Sequence, residues 1–247
     1  MLVLLPPSET KRTGGDGPPL AAATLSFPEL EPLRKELVDE LVVLAADVPA
    51  SRAVLGLSPR QDSEIERNAE LWTSATAPAL HRYTGVLYDA LDAGSLRGAA
   101  AARAGSRLAI GSALFGLLRA TDPVPAYRLS AGSALSGRPT LAARWRPLLD
   151  PVLAALAAGE TVVDLRSGSY AALGRAPGAV TVNVLAERAE GGRAVVSHFN
   201  KAHKGRLARA LAVTRAEPAD AAAVAAVARR AGLRLSLIHI SEPTRRS

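Results

Sequence analysis

Two short apolar runs constrain this 247-residue chain more than any other feature: Leu2-Val3-Leu4-Leu5 and Thr161-Val162-Val163-Asp164-Leu165. Each has the length of a strand rather than a helix, and neither alternates polar with apolar residues, so both read as buried strands. Prolines 6 and 7 stop the first, and Arg166-Ser167-Gly168-Ser169-Tyr170 follows the second. Between and after them lie longer segments with helical periodicity. Buried strands mixed with helices predict an α/β or mixed α+β single domain over residues 1–234, a mixed sheet flanked by helices.

Taken in order, Pro6 to Pro19 is a Gly/Pro-rich loop leaving a strand, a place for a ligand or a plain tether. Ser26-Phe27-Pro28-Glu29 predicts a helix start with Ser26 as N-cap, running to about Ala46 on a stripe of Leu30, Leu33, Leu37, Leu41 and Leu44. A short helix over 49–57 and another over 61–72 enclose Leu55-Gly56-Leu57. This pattern resembles a helix-hairpin-helix, which binds backbone phosphate, and also an ordinary αα-corner. Further helices are expected over 78–91, 140–157 and 216–231. Strands are expected over 107–110, 179–186 and 193–198, the last two flanking the turn Glu190-Gly191-Gly192. Ser112 to Arg119 reads as a tight helical turn or short helix, and Tyr127-Arg128-Leu129 as extended.

The charge balance is thirty Lys and Arg against twenty-three Asp and Glu, a net +7, with pI near 10.3. That favours an anionic partner without choosing among nucleic acid, nucleotide and membrane surface. Cysteine is absent, which excludes disulfides, thiolate catalysis and Cys-ligated zinc or iron–sulfur sites. The four histidines form no HxxxH or HExxH pattern, so no metal site and no cofactor is expected. There is no Walker A loop, no GxGxxG and no GxSxG, so no catalytic constellation is recognisable. The N-terminus lacks a basic n-region and an h-region, and no run reaches the length of a membrane span. A cytoplasmic protein without membrane contact is expected.

The cations concentrate in Ser197 to Arg209. On a helix Lys201, Lys204 and Arg209 share a face with Arg206 near its edge, while Leu207 and Leu211 fall opposite. This is either a polyanion-binding surface or a solvated face. Lys11, Arg119, Arg128, Arg166, Lys201, Lys204 and Arg206 all fall near expected element ends, where several can converge on one cleft.

The residues then resemble the YaaA family of bacterial peroxide-stress proteins. Ser112-x-Leu114-Phe115-Gly116-x-Leu118-Arg119-x-x-Asp122 followed by Tyr127-Arg128-Leu129 and Gly132 is close to that family's S-G-L-Y-G-x-L-R-P-x-D…P-Y-R-L-E-M-G. Tyr83-Thr84-Gly85 matches its Y-T-G, and Ser26-Phe27-Pro28-Glu29-Leu30 its F-P-E-L. Ser197-x-Phe199-x-Lys201-x-x-x-Gly205-x-x-Ala208-Arg209 is similar to its I-S-F-x-A-K-x-A-R-G-x-x-x-R. The family's S-P-A-K is met by Pro7-Ser8-Glu9-Thr10-Lys11 only with an insertion, and its N-L-A-S-x-E-Y loses the glutamate at Asp164 to Tyr170.

The resemblance implies a cytosolic protein that limits damage from hydrogen peroxide and unincorporated iron. It implies a single domain with a basic cleft, a helix-hairpin-helix-like element and sequence-independent DNA binding. On that reading Lys11, Ser112, Arg119, Tyr127, Arg128, Lys201, Lys204, Arg206 and Arg209 are expected to contact phosphate, with the hairpin Leu55, Gly56 and Leu57. The alternative is an enzyme acting on a phosphorylated or nucleotide-like small molecule in the same cleft. The end of the chain, 235–247, resembles an in-frame translation of a sequencing-library adapter. It is expected to be non-native and to stand in place of the natural C-terminal segment.

Overall fold

The structure is a computed structural model that describes residues 1–135, 137–182, 186–187, 193–194 and 197–233. The expected turn at Glu190-Gly191-Gly192 and the tail 235–247 lie outside the described residues.

The first strand, β1 (Leu2–Leu5), has all four side chains fully buried. Successive side chains of a strand point to opposite faces, so both faces of β1 are covered. It accordingly sits at the centre of a five-stranded sheet rather than at an edge. Its neighbours are β4 (Leu108–Ser112) and β7 (Val162–Asp164), both parallel to it, with Val3 opposite Leu108 and Val163. Beyond β7 lies the parallel β8 (Val180–Thr181), and beyond β4 the antiparallel β5 (Gly116–Arg119). The order β5-β4-β1-β7-β8 brings the carboxyl ends of four parallel strands to one edge. A smaller antiparallel sheet joins β2 (Gly17–Pro19), β3 (Ala75–Pro78) and β6 (Pro123–Val124). The backbone also pairs β9 (Ala186–Glu187) with β10 (Arg193–Ala194).

The helices are α1 (Glu31–Ala45), α2 (Val48–Leu55), α3 (Ser63–Ala69), α4 (Ala79–Arg82), α5 (Val86–Leu91), α6 (Gly98–Arg107), α7 (Leu141–Gly159), α8 (Gly168–Ala171), α9 (Ser197–Val213) and α10 (Ala221–Arg230). In α7 the buried positions Leu141, Trp145, Leu149 and Leu153 recur every four residues. Pro147 and Pro151 occupy its exposed side, where the carbonyls they leave unbonded can meet water. Trp145 donates its indole N–H to Ala113 O at 2.8 Å and packs so close to Gly116 that a Cβ there would lie 2.7 Å from its ring, and Gly116 also takes a φ of 73° that L side chains rarely adopt. A single core runs from Leu2 through Leu211 to Ala228, so the described residues form one domain. No described helix is long and apolar enough to cross a membrane.

Several expectations need correction. Ser112 to Arg119 is not helical: Ser112 pairs with Gly116 across a hairpin, and Ser112 Oγ accepts the Phe115 N–H at 3.0 Å to close the turn. The helix expected over 78–91 is broken at Tyr83-Thr84-Gly85, because Tyr83 bridges the backbone of Lys11 and Gly85 takes a φ of 95°. Ser26 caps nothing, since its N–H and hydroxyl both go to Asp122 (3.2 and 2.7 Å), and α1 begins only at Glu31. The last helix starts at Ala221 with Asp220 as its cap (2.7 Å to Ala223 N), Pro218 having stopped an earlier start. The strand expected over 193–198 ends in helix instead, as α9 already begins at Ser197.

Candidate functional site

At Leu5 the chain leaves the sheet, and Pro6-Pro7 turn it across the carboxyl edge. Tyr88 donates its hydroxyl to Pro6 O at 2.9 Å, while Ser8 Oγ donates to Thr10 O at 2.6 Å and accepts from Thr84 N at 3.1 Å. These bonds curl the loop so that Lys11 Nζ reaches back to the carbonyls of Ser8 and Glu9, at 3.1 and 3.2 Å. The amine lies 4.1 Å from the centre of the Tyr127 ring and 5.5 Å from that of Tyr83. Behind it, Tyr127 Oη is hydrogen-bonded to Ser112 Oγ at 2.7 Å and to Tyr83 Oη at 2.8 Å. The hairpin end at Ser112 and the broken helix at Tyr83 thus meet on one buried chain of hydroxyls.

Arg128 enters from the other side. Its backbone N–H and C=O are both held by the Asn68 side chain on α3, each at 2.8 Å. Its guanidinium, only 13% exposed, pairs with the exposed carboxylate of Glu9 at 3.1 Å. Lys11 and Arg128 therefore both contact Glu9 of the loop after β1, Lys11 at its carbonyl and Arg128 at its carboxylate. The connections from β1 and β7, which are adjacent, run to opposite sides of the sheet, β1 to β4 and β7 to β8. Such a reversal opens the crevice in which α/β sheets bind ligands.

The third component follows β7. Arg166 forms a two-bond ion pair with Asp164 at 2.9 and 2.7 Å and donates to Gly174 O at 2.9 Å. Gly111 makes room for it, because a Cβ there would lie 3.2 Å from Arg166 Cδ. Lys204 reaches from α9 to the carbonyls of Leu165 and Arg166 at 2.9 and 3.4 Å. Burial lowers its pKa, with Asp164 partly opposing the shift.

The cluster thus assembles Lys11, Ser112, Tyr127 and Arg128, with Lys204 on the same carboxyl edge. Arg119 pairs with Ala109, three residues from Ser112 along the strand, about 10 Å away, and stacks 5.3 Å over Phe27. Arg209 is occupied at the end of α5, donating to Leu91 O (2.8 Å), Asp92 O (2.7 Å) and Ser95 Oγ (2.8 Å). Lys201 and Arg206 are exposed on α9. Leu55 and Leu57 are core residues, and between them Gly56 takes a φ of 64° at the end of α2, exposed. Glu9, Asn68 and Tyr83 were not among the expected site residues. Tyr83 had a signal in the Tyr83-Thr84-Gly85 motif, whereas nothing in the sequence connects Asn68 with a residue sixty positions on.

Burial, followed by the nearby Arg128 charge, lowers the Lys11 pKa from 10.5 to about 7, with Glu64 and Glu9 opposing and Arg67 adding to the shift. Burial raises Tyr83, Tyr88 and Tyr127 above the ordinary tyrosine value. The folded state thus binds fewer protons at Lys11 than the unfolded chain does between pH 7 and 10.5. Stability from this group is complete above pH 10.5 and is lost as pH falls towards 7. Above pH 10 the tyrosines act oppositely, since they ionise more easily unfolded. In thermal melts from pH 6 to 10, stability of the wild type should rise with pH, and Lys11→Met should flatten that rise. An unchanged pH profile would refute the assignment.

The match to the family model described as "Peroxide stress protein YaaA" spans residues 1–235. A UPF0246 protein of Corynebacterium efficiens is 48% identical over 241 residues, covering 96% of this chain and 95% of the relative. One from Corynebacterium glutamicum is 49% identical over 237 residues, 94% of each. A UPF0246 protein of Streptomyces coelicolor is 47% identical over 224 residues, covering 88% of this chain and 85% of the relative. By these similarities, the chain belongs to the YaaA, or UPF0246, family of peroxide stress proteins.

Proposed function

We propose that this peroxide stress protein binds a phosphorylated or nucleotide-like small molecule at the carboxyl edge of its sheet. One observation carries the reading: Lys11 and Arg128 both contact Glu9 on the loop after β1, the strand beside which the connections reverse direction. An arginine held at its backbone by the Asn68 side chain and ion-paired to one exposed glutamate is suited to a two-oxygen anion. The Glu9 carboxylate occupies the position that a phosphate or carboxylate of the ligand takes when it binds.

A second reading, sequence-independent contacts to DNA backbone, is favoured by a different observation. Lys201 and Arg206 are exposed on a helix whose Leu207 and Leu211 are anchored in the core, on a chain of net charge +7. Lys204 and Arg209, whose polar groups are spent on carbonyls, contribute less to such a surface.

Titration with nucleotides and sugar phosphates, read by thermal shift and calorimetry, separates the two. At least one of them should raise the melting temperature, and Arg128→Ala should weaken its binding by about 10–100-fold, the worth of a charged hydrogen-bond pair. In the same series, duplex DNA retained at low salt and released at moderate salt would support the second reading. DNA retention with no thermal shift from any small phosphate would sink the first.

A further inference from the structure

We propose that a groove on the amino edge of the sheet binds a small carboxylate with a compact apolar body, of about the size of benzoate. Arg97 holds the carboxylate. The site is separate from the Lys11 loop and does not depend on the small-molecule reading above.

The groove lies between α4, α6 and the turn that follows β5. Gly105 lines it shortly before β4 begins, and Ala120 and Thr121 line it just after β5 ends. Because β4 runs parallel to β1, this is the opposite edge from the one at which β1 leads into the Lys11 loop. Backbone bonds fix the walls: Leu80 N–H donates to Ala120 O at 2.9 Å, and Ala120 N–H to Leu108 O at 3.0 Å. The enclosed volume is about 210 Å³. Ala101, Ala104 and Gly105 share one face of α6 and are too short to fill it.

The floor is apolar, since Leu80, Leu96, Ala104 and Ala120 are all buried beneath it. Exposed Arg97, His81 and Thr121 form the polar part of its rim, and among the described residues no Asp or Glu lines it. Arg97 is also not spent on a carboxylate elsewhere. Its partners among the described residues are the carbonyls of Gly94 at 2.5 Å and Leu96 at 2.8 Å, both taken by Nη1. Those bonds hold the guanidinium at the rim and leave the Nε and Nη2 hydrogens to donate.

This arrangement selects the ligand. The free guanidinium edge matches the two oxygens of one carboxylate. A phosphate group, with three strong acceptor oxygens, asks for more donors than one cation supplies. A dry apolar cavity of about 150 Å³ is enough for a benzene ring. A groove of 210 Å³ therefore holds a ring together with its carboxylate.

The test is a titration of the ¹⁵N-labelled full chain with benzoate, followed by amide shifts in two-dimensional NMR. Benzamide, which keeps the ring and loses the charge, and phenyl phosphate are run beside it. Benzoate should saturate with a Kd of about 0.1–1 mM, the range open to so small a ligand. The shifts should centre on Leu96, Arg97, Gly105, Ala120 and Thr121, and benzamide should bind about tenfold more weakly. Arg97→Gln should erase the difference between the two ligands. Gly105→Leu should block both, because a Cβ there meets only Thr121 Cγ2, at 3.4 Å, and the added side chain occupies the groove without a clash. Melting temperatures near that of the wild type establish that both variants are folded. Absence of saturable shifts, equal binding of benzamide, tighter binding of phenyl phosphate, or undiminished binding to Gly105→Leu would overturn the inference. Shifts centred on Lys11 and Arg128 would overturn it too, by placing the carboxylate at the other edge.

Discussion

Gly205→Ala is expected to lower the melting temperature by about 6–12 °C, the equivalent of a net loss near 3 kcal/mol for a chain of this size. The reason is the crossing of α9 over α5. A Cβ on Gly205 would lie 2.2 Å from Leu87 O and 2.8 Å from Ala90 Cβ. The first of these is backbone inside a helix and cannot swing aside, so the two helices must separate. Elsewhere in a helix the same change would gain about 1 kcal/mol from better propensity. The sign of the result therefore reports on packing alone. Separating the helices would also disturb Arg209, which sits one turn further along α9 and holds the end of α5. Melts followed by far-UV circular dichroism give the answer directly. A melting temperature equal to the wild type or above it would mean that the close crossing is absent.

Arg166→Met is expected to cost about 3–5 kcal/mol, because it leaves the Asp164 carboxylate beside the sheet without its partner. Both side chains are nearly inaccessible, at 2% for Arg166 and 11% for Asp164, so water replaces the lost bonds poorly. The double change Asp164→Leu with Arg166→Met should recover most of the loss, since removing a buried pair outright costs far less than splitting it. Urea unfolding of the single and double variants makes the comparison. If the double variant is as unstable as the single one, the loss comes instead from the carbonyls of Gly174 and Tyr170, which Arg166 also bonds.

These two residues show how differently a motif can be used. Gly205 and Arg209 belong to the basic stretch that resembled the family's pattern, and both serve the α5–α9 junction. Their recurrence in a motif carries no information about whether a ligand or a neighbouring helix requires them. Ser112 and Tyr127 present the opposite case. They also lay in a matched motif, and they join the hydroxyl chain behind Lys11.

The amino-acid order alone pointed to Leu2–Leu5 and Val162–Asp164 as buried strands, since both are too short for a helix, the first is stopped by prolines and the second is rich in β-branched residues. It likewise specified the long helices, α1 and α7, through apolar positions that recur every three or four residues. Short elements escaped it. At Ser112 to Arg119 a turn closed by one hydroxyl and supported by Trp145, thirty residues on, overrode a helical pattern. The candidate site lay further still beyond reach. Lys11 read as one cation in a loop, and its depressed pKa arises from burial first and the Arg128 charge second. Periodicity records what each element needs for itself. The meeting of Lys11 and Arg128 at Glu9 depends on how β1, the β4–β5 hairpin and α3 pack together, and that is a property of the assembled fold.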